Sequence, residues 1–206
     1  MSEHYFTRKP QSEHEERIIR ETLRGREFTF VTDAGVFSRG GVDFGTRLLI
    51  ETMDIPPAAR VLDVGCGYGP IGIVAAALAP SGRVTMIDVN ARAVELARRN
   101  AQLNRIGNAE VMESDLFANV PAETYDVILT NPPIRAGKQT VHQIFEQAAH
   151  FLAPGGRLWI VIRKQQGAPS AFAKLEQLFG SVREMAKAKG YRVYRAEKDA
   201  DDDASS

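Results

Sequence analysis

The stretch Arg60-Val61-Leu62-Asp63-Val64-Gly65-Cys66-Gly67-Tyr68-Gly69-Pro70 decides the fold. A short apolar run that ends abruptly in glycines reads as a buried strand feeding a tight turn. Downstream the pattern becomes a regular alternation. Strands are predicted at Arg83–Asp88, Ala109–Glu113, Asp126–Thr130 and Gly156–Arg163. Helices are predicted from about Gly69 to Ala79, from a cap at Asn90 to Asn104, from Lys138 to Leu152, and from Ser170 to Phe179. Apolar strands alternating with helices predict an α/β fold whose mostly parallel sheet is covered on both faces. Two further strands, Ser181–Lys187 and Tyr191–Ala196, are joined by only a few residues around Gly190. So short a link cannot join parallel strands, so this pair is antiparallel.

Upstream of the alternation, residues 1–11 read as flexible. Ser12, followed by His14, Glu15 and Glu16, predicts a helix to about Arg24. Glu27–Ser38 reads as a hairpin, with Phe28, Phe30 and Val31 on one arm, Val36 and Phe37 on the other, and Asp33–Gly35 as the turn. Phe44–Met53 reads as a helix that stops before Pro56 and Pro57. The chain divides into an N-terminal segment and helix (1–26), one folded domain (27–198) and an acidic, solvated tail (199–206).

Composition narrows the function classes. The 206 residues suit one domain, and 44% of them are hydrophobic, enough for a sizeable core. Cys66 is the one cysteine, and the four histidines form no metal-ligand spacing, so neither a disulfide framework nor a metal centre is expected. The N-terminus lacks the apolar core of a signal peptide, and no run approaches a membrane span. A cytoplasmic protein without membrane contact is the expectation; its oligomeric state is left open. Formal charge is zero, but four aspartates and no base fall in the last eight residues, so the rest of the chain is net positive.

Three features fall at successive strand ends, where ligands of open α/β sheets bind. The first is the loop Gly65-Cys66-Gly67-Tyr68-Gly69. The second is Asp88, able to accept from both hydroxyls of a ribose. The third is Asp115, in Ser114-Asp115-Leu116. Singly, each has a structural reading as a turn or cap; together they mark a nucleoside-like ligand. A dinucleotide fits less well, because Pro70 stands where the third glycine of Gly-x-Gly-x-x-Gly belongs. No Gly-Lys-Ser/Thr follows, which excludes a Walker loop. Cys66 reads as a small residue beside the ligand rather than a nucleophile.

The fourth strand ends in Asn131-Pro132-Pro133-Ile134. Two prolines remove two backbone donors and hold the chain extended. A carbonyl beside the Asn131 side chain then gives two convergent acceptors, which suit a planar amine with two N–H donors. A plain strand-ending turn is the alternative.

These motifs together resemble the class I S-adenosylmethionine-dependent methyltransferases over about Phe28 to Lys198. Gly35-Val36-Phe37-Ser38, Asp43-Phe44-Gly45-Thr46-Arg47-Leu48-Leu49 and Asn131-Pro132-Pro133-Ile134-Arg135-Ala136-Gly137-Lys138 are similar to the small methyltransferase domain of the 16S ribosomal RNA guanine-N2 methyltransferases. The resemblance implies a Rossmann-like seven-stranded sheet with an antiparallel C-terminal strand. It implies S-adenosylmethionine as cofactor, with Gly65, Cys66, Gly67, Tyr68 and Gly69 behind its methionine portion. Asp88 and Val89 would lie at the ribose, Asp115 at the adenine amine with Ser114 and Leu116 beside it, and Asp63 would support the loop or the amino group. Thr46 would close over the cofactor. Asn131, Pro132, Pro133 and Ile134 would form the catalytic motif, with Asn131 also against the cofactor. Arg135 and Lys138 would contact the substrate, a ribosomal RNA or ribosomal subunit. Basic residues of the last two strands are further candidates.

Two departures from the family pattern stand out. Enzymes methylating adenine or glutamine usually carry Tyr or Phe where Ile134 stands, so the aliphatic residue favours the guanine-N2 group. The full-length 16S enzymes carry a further N-terminal domain not seen here, which leaves the target open. The alternatives are methylation of a protein amide or small amine, and a non-catalytic RNA-associated protein that retains the fold.

Overall fold

The computed structural model describes residues 14–34, 37 and 40–201. Among these residues the order is β1 (Glu16–Leu23), β2 (Arg26–Asp33), α1 (Phe44–Thr52), β3 (Arg60–Val64), α2 (Pro70–Leu78), β4 (Arg83–Asp88) and α3 (Ala91–Leu103). There follow β5 (Ala109–Glu113), β6 (Tyr125–Thr130), α4 (Lys138–Phe151), β7 (Leu152–Arg163), α5 (Ala168–Leu178), β8 (Ser181–Ala188) and β9 (Tyr191–Glu197). The main sheet has seven strands in the order β5-β4-β3-β6-β7-β9-β8. Only β9 runs against its neighbours. The fold is the α/β arrangement the alternation predicts.

Side-chain alternation along each strand divides the core in two. Val61, Met86, Leu129 and Trp159 pack with α1, α2, α3 and the β1–β2 hairpin on one face. Leu62, Ile128, Leu158 and Ile160 pack with α4 and α5 on the other. All eight are essentially inaccessible to water, and each such side chain contributes roughly 1.5–3 kcal/mol by burial. Strand order reverses at the β3/β6 pair, because the chain winds outward through β4 and β5 on one side and through β7 on the other. Loops leaving the carboxyl ends of β3 and β6 therefore diverge and open a crevice between them.

Two expectations fail upstream. Residues 16–23 form strand β1, not the end of a helix, and pair antiparallel with β2 from Glu16↔Asp33 to Leu23↔Arg26. Ile19, Glu21 and Leu23 turn inward at period two, a strand signature overshadowed by the helix-start residues before it. The hairpin turn is Arg24-Gly25, both at positive φ (54° and 74°), which fits the right-handed twist of the flanking strands. The expected second arm is not a strand at Phe37, which lies in a bend; Gly35, Val36 and Ser38 lie outside the described residues, as does Ser12. Asp33 ends β2 instead of starting a hairpin turn. It is fully buried and accepts from His14 Nδ1 (2.8 Å) and Arg92 Nε (3.1 Å).

Candidate functional site

A cleft of about 980 Å³ opens at the carboxyl ends of β3, β4, β5 and β6, at the upper end of the size range of small-molecule sites. Gly65, Asp88, Val89, Ser114, Asp115, Leu116, Asn131 and Pro133 line it. These eight residues, from four strand ends, meet in one place, whereas Cys66, Gly67, Tyr68, Gly69, Pro132 and Ile134 do not line the cleft.

The glycine loop is held by its backbone. Gly65 and Cys66 both donate to the Ile87 carbonyl (2.9 Å each), and Gly69 N donates to Cys66 O (3.0 Å). Gly65, Gly67 and Gly69 take φ of 73°, 56° and 106°, a conformation that side-chain-bearing residues rarely adopt. A Cβ on Gly65 would meet nothing within 4 Å, so the open space beside it belongs to the cleft. The Tyr68 ring points away from the cleft, packing edge-on against Phe30 and Phe37. Only its backbone belongs to the loop, so the expected contact of Tyr68 with the cofactor does not extend to the ring. Cys66 is buried, and burial pushes its thiol well up, which keeps it protonated.

Asp88 is fixed from both sides. Its Oδ2 accepts from Gly67 N and its Oδ1 from Asn90 N, both at 2.9 Å. Each oxygen keeps a lone pair for a further donor. Beneath the loop, Asp63 is fully buried and accepts from Gly72 N through Oδ2 (2.9 Å), joining β3 to the first turn of α2. Its Oδ1 has no partner among the described residues. Burial, reinforced by the Asp88 carboxylate and opposed by the Gly72 N–H, pushes the Asp63 carboxyl up to about 7. This bond ties Asp63 to α2 just after the glycine loop, and Asp63 does not line the cleft.

At the end of β5, Asp115 is exposed and its carboxylate has no protein partner among the described residues. Ser114 is committed to the turn: its hydroxyl donates to Leu116 O (2.7 Å) and accepts from Asn119 N (3.0 Å). Leu116 sits at φ 50°, an uncommon conformation for a leucine. Val89, 70% exposed, and the half-buried Leu116 give the cleft an apolar lining, with the buried Ile87 beneath.

At the end of β6, Thr130 Oγ1 donates to Val64 O and anchors the strand to β3 (2.9 Å). Asn131 Nδ2 donates to Thr46 Oγ1 (3.1 Å). That bond orients the amide and leaves Oδ1 without a partner among the described residues. The Pro133 carbonyl is taken by Ala136 N in the 3-10 turn Ile134–Ala136, whereas the Pro132 carbonyl accepts no bond among them. Thr46 is buried in the first turn of α1, where Asp43 Oδ2 caps its N–H (3.2 Å). It holds Asn131 and does not line the cleft. Ile134 packs against the α4–α5 core. Arg135 and Lys138 are exposed, on the turn after the motif and at the start of α4, and neither lines the cleft.

One wall was not foreseen. Thr140, Gln143, Ile144, Gln147, His150 and Phe151 present one face of α4 to the cleft. Gln147 Oε1 is shut off from solvent and has no partner among the described residues. The signal was present as helical i, i+3, i+4 spacing of polar and apolar residues. Also unforeseen is Asn100, fully buried on α3. Its amide accepts from Val31 N (2.7 Å) and donates to Val31 O (2.9 Å) and Tyr68 O (2.8 Å), tying the hairpin to the glycine loop.

Among the described residues no group of three or more His, Cys, Asp or Glu could hold a metal ion. None of their helices is long and apolar enough to cross a membrane.

Comparison with known proteins agrees with this geometry. Over 96% of its length the chain is 52% identical to the whole of a Bacillus subtilis protein called YbxB, described as uncharacterized. It is 40% identical, over 78% of its length, to the ribosomal RNA small subunit methyltransferase C of Pasteurella multocida, of which it spans 48%. Among solved structures, the T. thermophilus 16S rRNA N2 G1207 methyltransferase in complex with AdoMet and guanosine superposes with a TM-score of 0.78 at 28% identity, over 89% of this chain and 50% of that one. The family described as methyltransferase small domain matches residues 27–195, and the chain belongs to it.

Proposed function

We propose that the protein transfers a methyl group from S-adenosylmethionine to an exocyclic amine, with guanine N2 of ribosomal RNA as the acceptor. The observation that carries this reading is the pair of acceptors left without a partner among the described residues, Oδ1 of Asn131, which lines the cleft, and the carbonyl of Pro132 next to it in the chain, with the Asn131 amide oriented by Thr46. An exocyclic amine has two N–H donors and a lone pair delocalised into its ring. Two fixed acceptors hold both N–H groups and turn the lone pair into the cleft. Such alignment can contribute roughly 7–11 kcal/mol in favourable systems. The proton lost from nitrogen passes to solvent after transfer, so no strong base is needed at the site.

The residues fit S-adenosylmethionine. Asp88 retains lone pairs for ribose hydroxyls, and Asp115 and Gln147 offer acceptors toward a purine edge. Val89 and Leu116 would cover the purine, and the open backbone of Gly65 leaves room for the methionine portion. When bound, the cofactor supplies an electrophilic methyl group on a positively charged sulfur. Guanine as acceptor is supported by Ile134, which offers no ring for stacking, and by the guanosine bound in the T. thermophilus enzyme. Ribosomal RNA as partner and the cytoplasm as location belong to the same proposal, and Arg135 and Lys138 would be the first contacts with RNA.

The test is calorimetric titration with S-adenosylmethionine and with NAD, followed by incubation of tritiated cofactor with protein-free ribosomal RNA and with ribosomal proteins. Binding of S-adenosylmethionine alone and label in RNA are expected. Label confined to protein would move the acceptor to an amide, and binding of neither cofactor would sink the enzymatic reading.

A further inference from the structure

The rim beyond Asn131 carries a group of exposed cations. Arg135, Lys138, Arg163 and Lys189 are exposed, and none is in an ion pair among the described residues. Elsewhere Arg17, Arg47, Arg60, Arg92, Arg99, Arg157 and Arg192 are in ion pairs with acids, while Arg26 and Arg195 lie singly over the Phe28 and Trp159 rings. At the rim, aromatic rings replace acids. The Arg163 guanidinium lies 4.9 Å from the centre of the Tyr191 ring, and Lys189 Nζ lies 4.7 Å from that of Phe44. The two rings touch, with centroids 5.8 Å apart.

This arrangement is built into the fold. Gly45 admits the Tyr191 ring onto α1, since a Cβ there would come within 2.6 Å of it. Lys189 and Gly190 form the β8–β9 turn at φ 48° and 80°, and the Lys164 N–H donates to Gly190 O (2.8 Å), locking that turn to the end of β7. The cluster adjoins the acceptor motif, because Phe44 and Thr46 share the first turn of α1 and Thr46 holds Asn131. Ile134 and Lys138 line one small pocket together with Gln166 and Gly167, which follow Arg163 closely in the chain. Asp43, the acid nearest in sequence, is engaged in capping α1.

A carboxylate partner would cancel the charge, whereas a ring holds the cationic head in place and leaves it available. Holding it in place also reduces the side-chain entropy lost on binding. We propose that Arg163 on Tyr191 and Lys189 on Phe44 form a preorganised phosphate clamp that, with Arg135 and Lys138, holds the RNA strand on either side of the nucleotide presented to Asn131. This rests on the RNA reading above and adds to it the surface that grips the strand.

The experiment measures binding of a fluorescein-labelled single-stranded RNA of mixed sequence by wild type and by the double variant Arg163→Glu/Lys189→Glu, across about 50–200 mM salt. Binding of S-adenosylmethionine is measured in parallel as the check on folding. Retained cofactor affinity, RNA affinity reduced at least tenfold, and a salt slope shallower by about 1.4 are expected, roughly 0.7 for each lost phosphate contact on single strands. The charge-conserving variant Arg163→Lys/Lys189→Arg is expected to recover most of the affinity. Equal RNA binding by wild type and the glutamate variant would overturn the clamp while leaving the RNA reading intact. A wild type that binds cofactor and methylates protein but binds no RNA at any salt would overturn both.

Discussion

The two halves of the cleft are built differently. On the side of β3, β4 and β5, backbone groups fix the geometry: Gly65, Cys66 and Gly67 each donate to the end of β4, and Asp88 is held between two backbone N–H groups. On the side of β6, one side-chain bond from Asn131 to Thr46 sets the direction of the acceptor. A backbone cradle tolerates many side-chain changes, whereas an arrangement resting on one hydroxyl does not. Cofactor binding and transfer should therefore separate cleanly under mutation.

The largest separation is expected for Asn131→Ala. Transfer should fall about 100- to 1000-fold, the scale of losing an oriented polar group that acts in the transition state. Cofactor affinity by calorimetry should stay within a few-fold of wild type. Asp88→Ala should do the reverse, weakening cofactor binding about 10- to 100-fold, as expected for hydrogen bonds to a charged group, while leaving saturated turnover much less affected. Thr46→Val keeps the shape of the side chain but removes the acceptor for Asn131 Nδ2. Turnover at saturating cofactor should fall about 3- to 10-fold, and an unchanged rate would show that the amide is oriented by something else.

The smallest effect concerns pH. Burial raises the Asp63 carboxyl from an ordinary 3.8 to about 7, so the folded state keeps a proton that the unfolded state gives up. The stabilisation is fully present below about pH 4 and is lost as pH rises to about 7. Between pH 5 and 7 this group should lower stability by on the order of 1 kcal/mol per pH unit. Asp63→Asn should flatten that fall in thermal unfolding, and the difference between the two curves isolates this residue from His142, which burial shifts down. Parallel curves for the two proteins would contradict the buried, protonated state.

From Phe44 onward the expected elements lie within two residues of the observed ones, except that β7 begins at Leu152 and not at Gly156. Strands at Arg83–Asp88 and Ala109–Glu113 and the Asn90 cap are where the apolar runs and capping chemistry put them. The first hairpin was misread because its period-two signal, Ile19-Glu21-Leu23, is short and mixed with charge, and its turn uses Arg24 rather than Asn or Asp at the first left-handed position. Glycines and acids at strand ends announced one half of the cleft, since backbone geometry restricts which residues fit there. The direction of the Tyr68 ring depends on packing against Phe30 and Phe37 of a distant segment, which no local pattern encodes, and the helical spacing on α4 marks a face without saying that the cleft lies against it.

The most direct test of the central claim is to digest protein-free small-subunit ribosomal RNA to nucleosides after reaction and identify the methylated product by mass spectrometry. Two acceptors aimed at an exocyclic amine predict N2-methylguanosine, absent with Asn131→Ala. A ribose-methylated or ring-carbon-methylated nucleoside would contradict the role assigned to Asn131 Oδ1 and the Pro132 carbonyl.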